Sequence, residues 1–503
     1  MSRIASVNQV RALEANYRDG LGLPLFALME AAGGAVAHAV LAMKPKRVVI
    51  LAGKGNNGGD GLVCARRLRD AGVAVEVRLV GKVGELKGDA LAAARAYESH
   101  GGRARAQSAQ LALAGEPGMV IVDALLGTGI TRPPEGVVAK AMARIAHARG
   151  QGAKVVAVDL PSGLDADTGS APGACVTADV TVTFAPLKQG LLLDGALDHT
   201  GRLDVVDIGI SVAMLDELGG PTLERVELAQ LAARVGPRPH GSFKNSFGHV
   251  LAVGGSPGKS GAIAMSALAA LRAGAGLVTV AGRANEVHAA QALSPALMSA
   301  PLSGSGPLGP DDLKALLEAA EGKQALVIGP GLARGPKTKQ LVLALVEKSG
   351  LPTVLDADAL NVLGPAPRLG ERVVLTPHPG EAGRLLEANS HAVQADRLAA
   401  ARKLARLTGA TVVLKGARTL LASGDGLWLN DAGDPRLATA GSGDVLSGMI
   451  AALLARDTLI TREAAALAVA LHSRLPEAYP DRGALIATDL IDAIPVLLSK
   501  AGL

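Results

Sequence analysis

At 503 residues, 49% of them hydrophobic and 19% charged, the chain has material for two or more domains and is too apolar to be disordered. The formal net charge is +5, with Lys and Arg scattered rather than clustered, so a small anionic ligand suits it better than a polyanion. Aromatic residues are only 2%, which excludes the stacking platforms of single-stranded nucleic-acid binders.

Ser6 and Gln9 have the spacing of a capping box that opens a helix carrying Val10, Leu13 and Tyr17. Pro24 starts a second helix through Leu28 to Met43. Arg47 to Ala52 reads as a buried strand. The loop Gly53 to Gly61 follows, then a helix from Leu62 to Ala71. Strands are expected at Val73 to Val80, Met119 to Asp123, Lys154 to Asp159, Asp179 to Phe184 and Leu203 to Ile208, with helices at Leu86 to Ser99 and Val137 to Ala148. Such alternation predicts an α/β fold, a Rossmann-like parallel sheet with helices on both faces.

Gly53, Gly55 and Gly58 fit the G-x-G-x-x-G dinucleotide fingerprint. The ribose-binding acid that should end the second strand is missing, since Glu76 lies inside it. An ordinary dehydrogenase is therefore the minority reading. Polar, glycine-rich turns follow three strands: Asn56, Asn57, Gly58, Gly59 and Asp60; Asp123 with Gly127, Thr128, Gly129, Ile130, Thr131, Arg132 and Pro133; and Asp159 with Ser162. In a parallel sheet those ends converge on one crevice. Hard oxygen ligands there suit a small cation, and backbone N–H groups suit a pyrophosphate.

These stretches resemble the NAD(P)H-hydrate epimerase family, over residues 1 to about 210. The resemblance implies hydrated NADH or NADPH as ligand and one potassium ion held by Asn57, Asp123 and Ser162. It implies substrate contacts at Asn56 to Asp60, Gly127 to Pro133, and Asp159. Asp159 is the expected proton-handling group for interconverting the R and S forms.

Gly219-Gly220-Pro221, after a short polar helix, marks a linker at 214–224, between an expected domain at 1–213 and another at 225–503. Val250 to Val253 is a strand. The loop behind it, Gly254 to Ser260, nearly makes a P-loop, but Val253 stands where the first glycine belongs. Ala262 to Ala273 is helical and Leu277 to Ala281 a strand. The uncharged run Val287 to Pro310 is broken by Pro295, Pro301 and Pro307, and no segment is expected to span a membrane. Four strands then run into polar loops: Leu326 to Ile328 into Gly329-Pro330-Gly331, Thr353 to Asp356 into Ala357 to Asn361, Arg372 to Leu375 into Thr376 to Glu381, and Thr411 to Leu414 into Lys415, Gly416, Ala417, Arg418 and Thr419. A hairpin, Leu420 to Ala422 with Leu427 to Leu429, precedes Ala440-Gly441-Ser442-Gly443-Asp444 and the apolar helix Val445 to Ala455.

That last turn points backbone N–H groups and a helix N-terminus at one place, which suits an anion. A carboxylate beside an anion makes sense if it takes a proton from a hydroxyl that receives a phosphoryl group. Pro377 and Pro379 hold His378 at a strand end, which favours a ligand contact. Glu381 either caps the helix it opens or reaches a magnesium ion through water.

Together these stretches resemble the ADP-dependent NAD(P)H-hydrate dehydratase family, whose fold is ribokinase-like. The resemblance implies hydrate contacts at Ala262, Gly331, His378 and Asp444, and the AMP part of ADP along Lys415 to Thr419 and Gly443. Asp444 is the expected catalytic base. Two cysteines, Cys64 and Cys175, make no disulfide framework, and the N-terminus has no basic-then-apolar leader. A cytoplasmic homo-oligomer that binds neither nucleic acid nor membrane is expected. A ribokinase-like small-molecule kinase fused to a dinucleotide-binding domain stays open as the alternative.

Overall fold

The computed structural model describes residues 4–106, 113–130, 132–210 and 223–503. The chain divides into two compact units, Met1–Thr222 and Leu223–Leu503. The short polar helix expected before Gly219 lies outside the described residues.

In the first unit seven parallel strands form one sheet. Ala104–Ala106 is at one edge, followed by Val75–Leu79, Arg47–Ala52, Met119–Ala124, Lys154–Val158, Val180–Phe184 and, at the other edge, Arg202–Val206. The central strands are apolar along their whole buried length because helices cover both faces; Val48 to Ala52 are fully buried. From Arg47–Ala52 the chain first builds outward to one side and then returns to build the other. The sheet's switch point therefore lies between Arg47–Ala52 and Met119–Ala124.

The capping box forms as expected: the Ser6 hydroxyl accepts from the Gln9 N–H, and the Gln9 side chain accepts from the Ser6 N–H. Two expectations are corrected. The helix after Gly55 begins at Asn56, not Leu62, and runs to Asp70, so the loop is only three residues long. The apolar glycines there permit close packing: a Cβ on Gly58 would lie 2.1 Å from the Gly53 carbonyl oxygen. Second, the helix Leu25–Ala42, of 18 residues and mean hydropathy 1.6, is long and apolar enough by length and composition to cross a membrane. In this fold Leu28, Met29, Ala32, Val36 and Val40 are buried in the unit's core, and Glu30 pairs with Arg66 and Arg67.

The second unit is built on ten strands. Their order is Leu223–Arg225, Gly426–Leu429, Leu420–Ser423, Thr411–Leu414, Val373–Leu375, Thr353–Leu355, Ala325–Ile328, His249–Val253, Leu277–Arg283 and Met298–Leu302. The hairpin pairs, 411–414 with 420–423 and 420–423 with 426–429, are antiparallel and the others parallel. Here the switch point falls between His249–Val253 and Ala325–Ile328. The helix Ser442–Ala455 is buried almost throughout and packs on Ser260–Arg272. A helix, Asp358–Leu363, also replaces a stretch read as a loop, and the helix expected to open at Glu381 begins at Pro379 and runs to Leu385.

Candidate active sites

At the first unit's switch point, three turns meet. Asp123, fully buried at its strand's end, accepts from the Ser162 hydroxyl at 2.6 Å, the Ser162 N–H at 2.8 Å and the Leu125 N–H at 3.3 Å. The Leu126 N–H donates to Ser162 Oγ at 2.9 Å, and Asn57 Nδ2 donates to the Leu126 carbonyl at 3.1 Å. Burial pushes the Asp123 carboxyl up to about 6, against the Ser162 bonds that lower it. Among the described residues no cationic side chain bonds this carboxylate. A buried carboxylate beside a hydroxyl and an amide offers oxygens of the kind a small cation takes.

Beside this knot is a cavity of about 160 Å³. Asn56, Asn57, Asp60, Gly127, Thr128 and Asp159 line it, as do Glu14, Asp89 and Lys188. Asp159 takes a positive φ of 61° at the strand end. Its Oδ1 accepts from Lys188 Nζ at 2.6 Å and from the Thr183 hydroxyl at 3.0 Å. Lys188, itself buried, also donates to the Phe184 carbonyl at 2.9 Å. Burial and then neighbouring Asp159 push the Asp60 carboxyl well above its usual range, with Lys188 opposing. Burial likewise raises Glu14, against the pull of Lys188. Several proton-exchanging groups of differing basicity thus share one small space.

The other expected contacts fall elsewhere. Gly58 and Gly59 are buried and do not line the cavity; a Cβ on Gly59 would strike Met29. Gly129, Ile130, Arg132 and Pro133 lie beyond its lining, and Thr131 lies outside the described residues. Glu76 is occupied by Arg47 at 2.6 Å and Arg78 at 2.8 Å, as expected of a residue that serves no ribose.

In the second unit the strand-end loops also gather. Gly441, at φ 88°, turns the chain into the helix that begins at Ser442, which sets Asp444 in its first turn. No hydrogen bond to the Asp444 carboxylate is present among the described residues. Burial, then Asp356, push this carboxyl up to about 7, and Lys415 pulls it down. Lys415 lies 3.0 Å from Asp356 and 3.9 Å from Glu381, and a Cβ on Gly443 would meet its ammonium at 3.2 Å. It is held in place and is not a solvated strand-end lysine. Burial works to lower its pKa, but Asp356 and Glu381 raise it.

His378 caps the helix Pro379–Leu385. Its Nδ1 accepts from the Gly380 N–H at 3.0 Å, while Glu381 accepts from the His378 N–H at 2.9 Å. Glu381 thus makes the capping bond and faces Lys415 as well. The His378 ring is half-exposed, and burial together with Lys415 lowers its pKa. Gly331, at φ 65°, accepts from the Ser256 N–H at 2.5 Å, which ties its turn to the loop before Ala262. The stretch from Gly416 to Thr419 is folded back by the Thr419 hydroxyl, which donates to the Gly416 carbonyl at 3.2 Å.

A family model described as NAD(P)H-hydrate dehydratase matches residues 250–496, and another, YjeF-related protein N-terminus, matches residues 25–190. The bifunctional NAD(P)H-hydrate repair enzyme Nnr of Moorella thermoacetica is 41% identical over 498 residues, covering 95% of this chain and 93% of its own. This chain belongs to the bifunctional NAD(P)H-hydrate repair enzymes.

The repair enzyme Nnr of Escherichia coli is 37% identical, over 97% of this chain and 92% of its own. A solved ADP/ATP-dependent NAD(P)H-hydrate dehydratase from Bacillus subtilis, co-crystallised with ATP and magnesium, is 28% identical over 56% of this chain and 99% of its own, with a TM-score of 0.49. As a repair enzyme of this family the chain joins an epimerase domain to a dehydratase domain.

The sequence motifs of this repair enzyme do not include Lys188, Glu14 and Asp89, which line the first unit's cavity, nor Lys259 and Arg334, which pair with Asp358 in the second unit. Lys188 follows the strand ending at Phe184, so the strand-end rule applied to three turns would have reached it at a fourth. Glu14 arrives from an N-terminal helix, and no local pattern announces that.

Proposed function

We propose that the first unit epimerises the R and S forms of hydrated NADH and NADPH, and that the second dehydrates the S form at the expense of ADP. The observation that carries the second half is Asp444: a raised carboxyl with no hydrogen-bonding partner among the described residues, in the first turn of a helix, near an anchored lysine. Asp444 takes the proton of the ring hydroxyl as that oxygen attacks the terminal phosphorus of ADP, and AMP leaves. The N–H groups of residues 441–443 and Lys415 steady the charge on the transferring group. Phosphate then departs with the ring C–O bond while the neighbouring carbon loses a proton, and the dihydronicotinamide ring is restored. The nucleotide's AMP part is read along Lys415 to Thr419 and Gly443, and the hydrate against Ala262, Gly331 and His378.

In the first unit, Asp159 is the proton-handling group, with Asn56, Asn57, Asp60, Gly127 and Thr128 around the substrate. Asn57, Asp123 and Ser162 are the residues to hold a potassium ion, whose positive charge would neutralise the buried Asp123 and order the turns beside the cavity. Magnesium would enter the second unit with the nucleotide. Among the described residues no group of three or more His, Cys, Asp or Glu forms a ready cage. Such an ion would rest chiefly on phosphate oxygens and water. The reading includes a cytoplasmic homo-oligomer, consistent with two free cysteines.

The test is to incubate the purified protein with S-hydrated NADH, with and without ADP, and follow the return of NADH absorbance. The R form should be repaired through the first unit. A stable phosphorylated product with no NADH would sink the dehydratase reading in favour of a kinase.

A further inference from the structure

Asp358, almost fully buried at the start of its helix, holds two cations that are themselves more than half exposed. Lys259 Nζ lies 3.0 Å from its Oδ2 and Arg334 Nε 2.7 Å from its Oδ1. The Ala333 N–H donates to the same carboxylate at 3.2 Å. Burial acts to raise the Asp358 pKa, but the bonds from Arg334 and Lys259 win and lower it. The trio keeps one net positive charge. The terminal guanidinium nitrogens of Arg334 have no hydrogen-bond partner among the described residues.

The cluster sits where the fold leaves room for a ligand. Lys259 ends the loop behind His249–Val253, and Arg334 follows the turn behind Ala325–Ile328. These are the two strands that flank the switch point. Gly331, between them, is so close that a Cβ would lie 2.5 Å from the Lys259 carbonyl oxygen. Asp358 is near enough to Asp444 to act on its charge. Lys415 pairs instead with Asp356, two residues before Asp358, and faces Gly443. Lys259 and Arg334 therefore go with Gly331, the turn read against the hydrate, and the Lys415 ammonium goes with Gly443, the turn read against the nucleotide.

We propose that Lys259 and Arg334, bracketed by Asp358, bind the pyrophosphate of the hydrated dinucleotide, while the Lys415 end takes the phosphoryl donor. This rests on the dehydratase reading above and adds the substrate's anionic anchor to it. Two preplaced cations can each give a charge-assisted hydrogen bond to a pyrophosphate without first being ordered.

The test is steady-state dehydration of S-hydrated NADH and, separately, S-hydrated NADPH, by the full-length protein and by Lys259→Ala, Lys259→Arg, Arg334→Ala and the double alanine variant. Epimerisation of the same preparations checks the fold. Each alanine variant should raise KM for the hydrate about tenfold, the loss of one charge-assisted bond. The KM for ADP and kcat should stay near the parent, and Lys259→Arg should recover most of the loss. The salt dependence of the hydrate KM should flatten in the double variant. A rise in KM for ADP instead, or no change in either KM, overturns the proposal. A loss confined to the NADPH hydrate overturns it too, because the anion would then be the ribose phosphate. A parent that performs no dehydration removes the reading beneath it, which is a separate result.

Discussion

Lys415 is tied to Asp356 by an ion pair of 3.0 Å, so the ammonium that faces Gly443 is positioned before any nucleotide arrives. The same ammonium also pulls down the Asp444 carboxyl. On the proposed mechanism, phosphoryl placement and the basicity of the proton acceptor therefore depend on one side chain.

Asp444→Asn keeps the helix's first turn, since Asn suits helix N-termini, but removes the proton acceptor. Dehydration should fall ~100- to 10,000-fold. Nucleotide affinity should hold or tighten, and epimerisation should be unchanged. A dehydration rate within a few-fold of the parent would return Asp444 to a purely structural role.

The Asp444 carboxyl is raised to about 7, and the base must be ionised. The kcat/KM of dehydration should therefore drop about tenfold per pH unit below that point. The stability sign is the reverse. Between the ordinary carboxyl value and 7 the folded state holds a proton that the unfolded chain has lost. This group thus favours folding at low pH and loses that contribution as pH rises through 7. Asp444→Asn should accordingly melt higher than the parent at pH 8. A flat activity profile from pH 5 to 8 would contradict the assignment.

Asp159→Asn can keep the left-handed backbone, which Asn tolerates. Epimerisation should fall by roughly 100-fold or more, as for lost acid–base catalysis, with ADP-dependent dehydration of the S form intact. Equal loss of both activities in a folded protein would refute separate sites.

Asp123→Ala removes the carboxylate that Ser162 and Leu125 bond. Epimerisation should be lost together with its response to potassium, and dehydration of the S form should persist. Epimerisation in the variant that still responds to potassium would move the ion elsewhere.

His378→Ala removes a half-exposed ring and one bond to the Gly380 N–H, while the Glu381 capping bond to the main chain remains. The KM for the hydrate should rise more than kcat falls. The opposite split would make the imidazole a chemical participant.

The strands and their convergent ends were legible because buried parallel strands such as Val48 to Ala52 are continuous apolar runs, and because polar turns at their ends must converge; their order in the sheet was not. Asn57, Asp123 and Ser162 do meet, and Asp444 does open a helix beside Lys415. The start of the helix at Asn56 was not legible. Two asparagines followed by two glycines read as a loop, and only close packing on Gly53 and Met29 explains why that sequence is helical. The charge network was equally hidden. Asp356, Asp358 and Lys188 are ordinary strand-end residues in one dimension, and their roles come from partners 59, 99 and 29 positions away.

That early helix start also bears on how substrate is met. Asn56, Asn57 and Asp60 occupy the first turns of a rigid rod whose glycines are wedged against the sheet. Their backbone freedom is surrendered once, when the chain folds, and not again at each encounter with ligand. On the proposed function, the hydrated dinucleotide would then be captured by a surface already in shape, with little of its affinity consumed in ordering the protein.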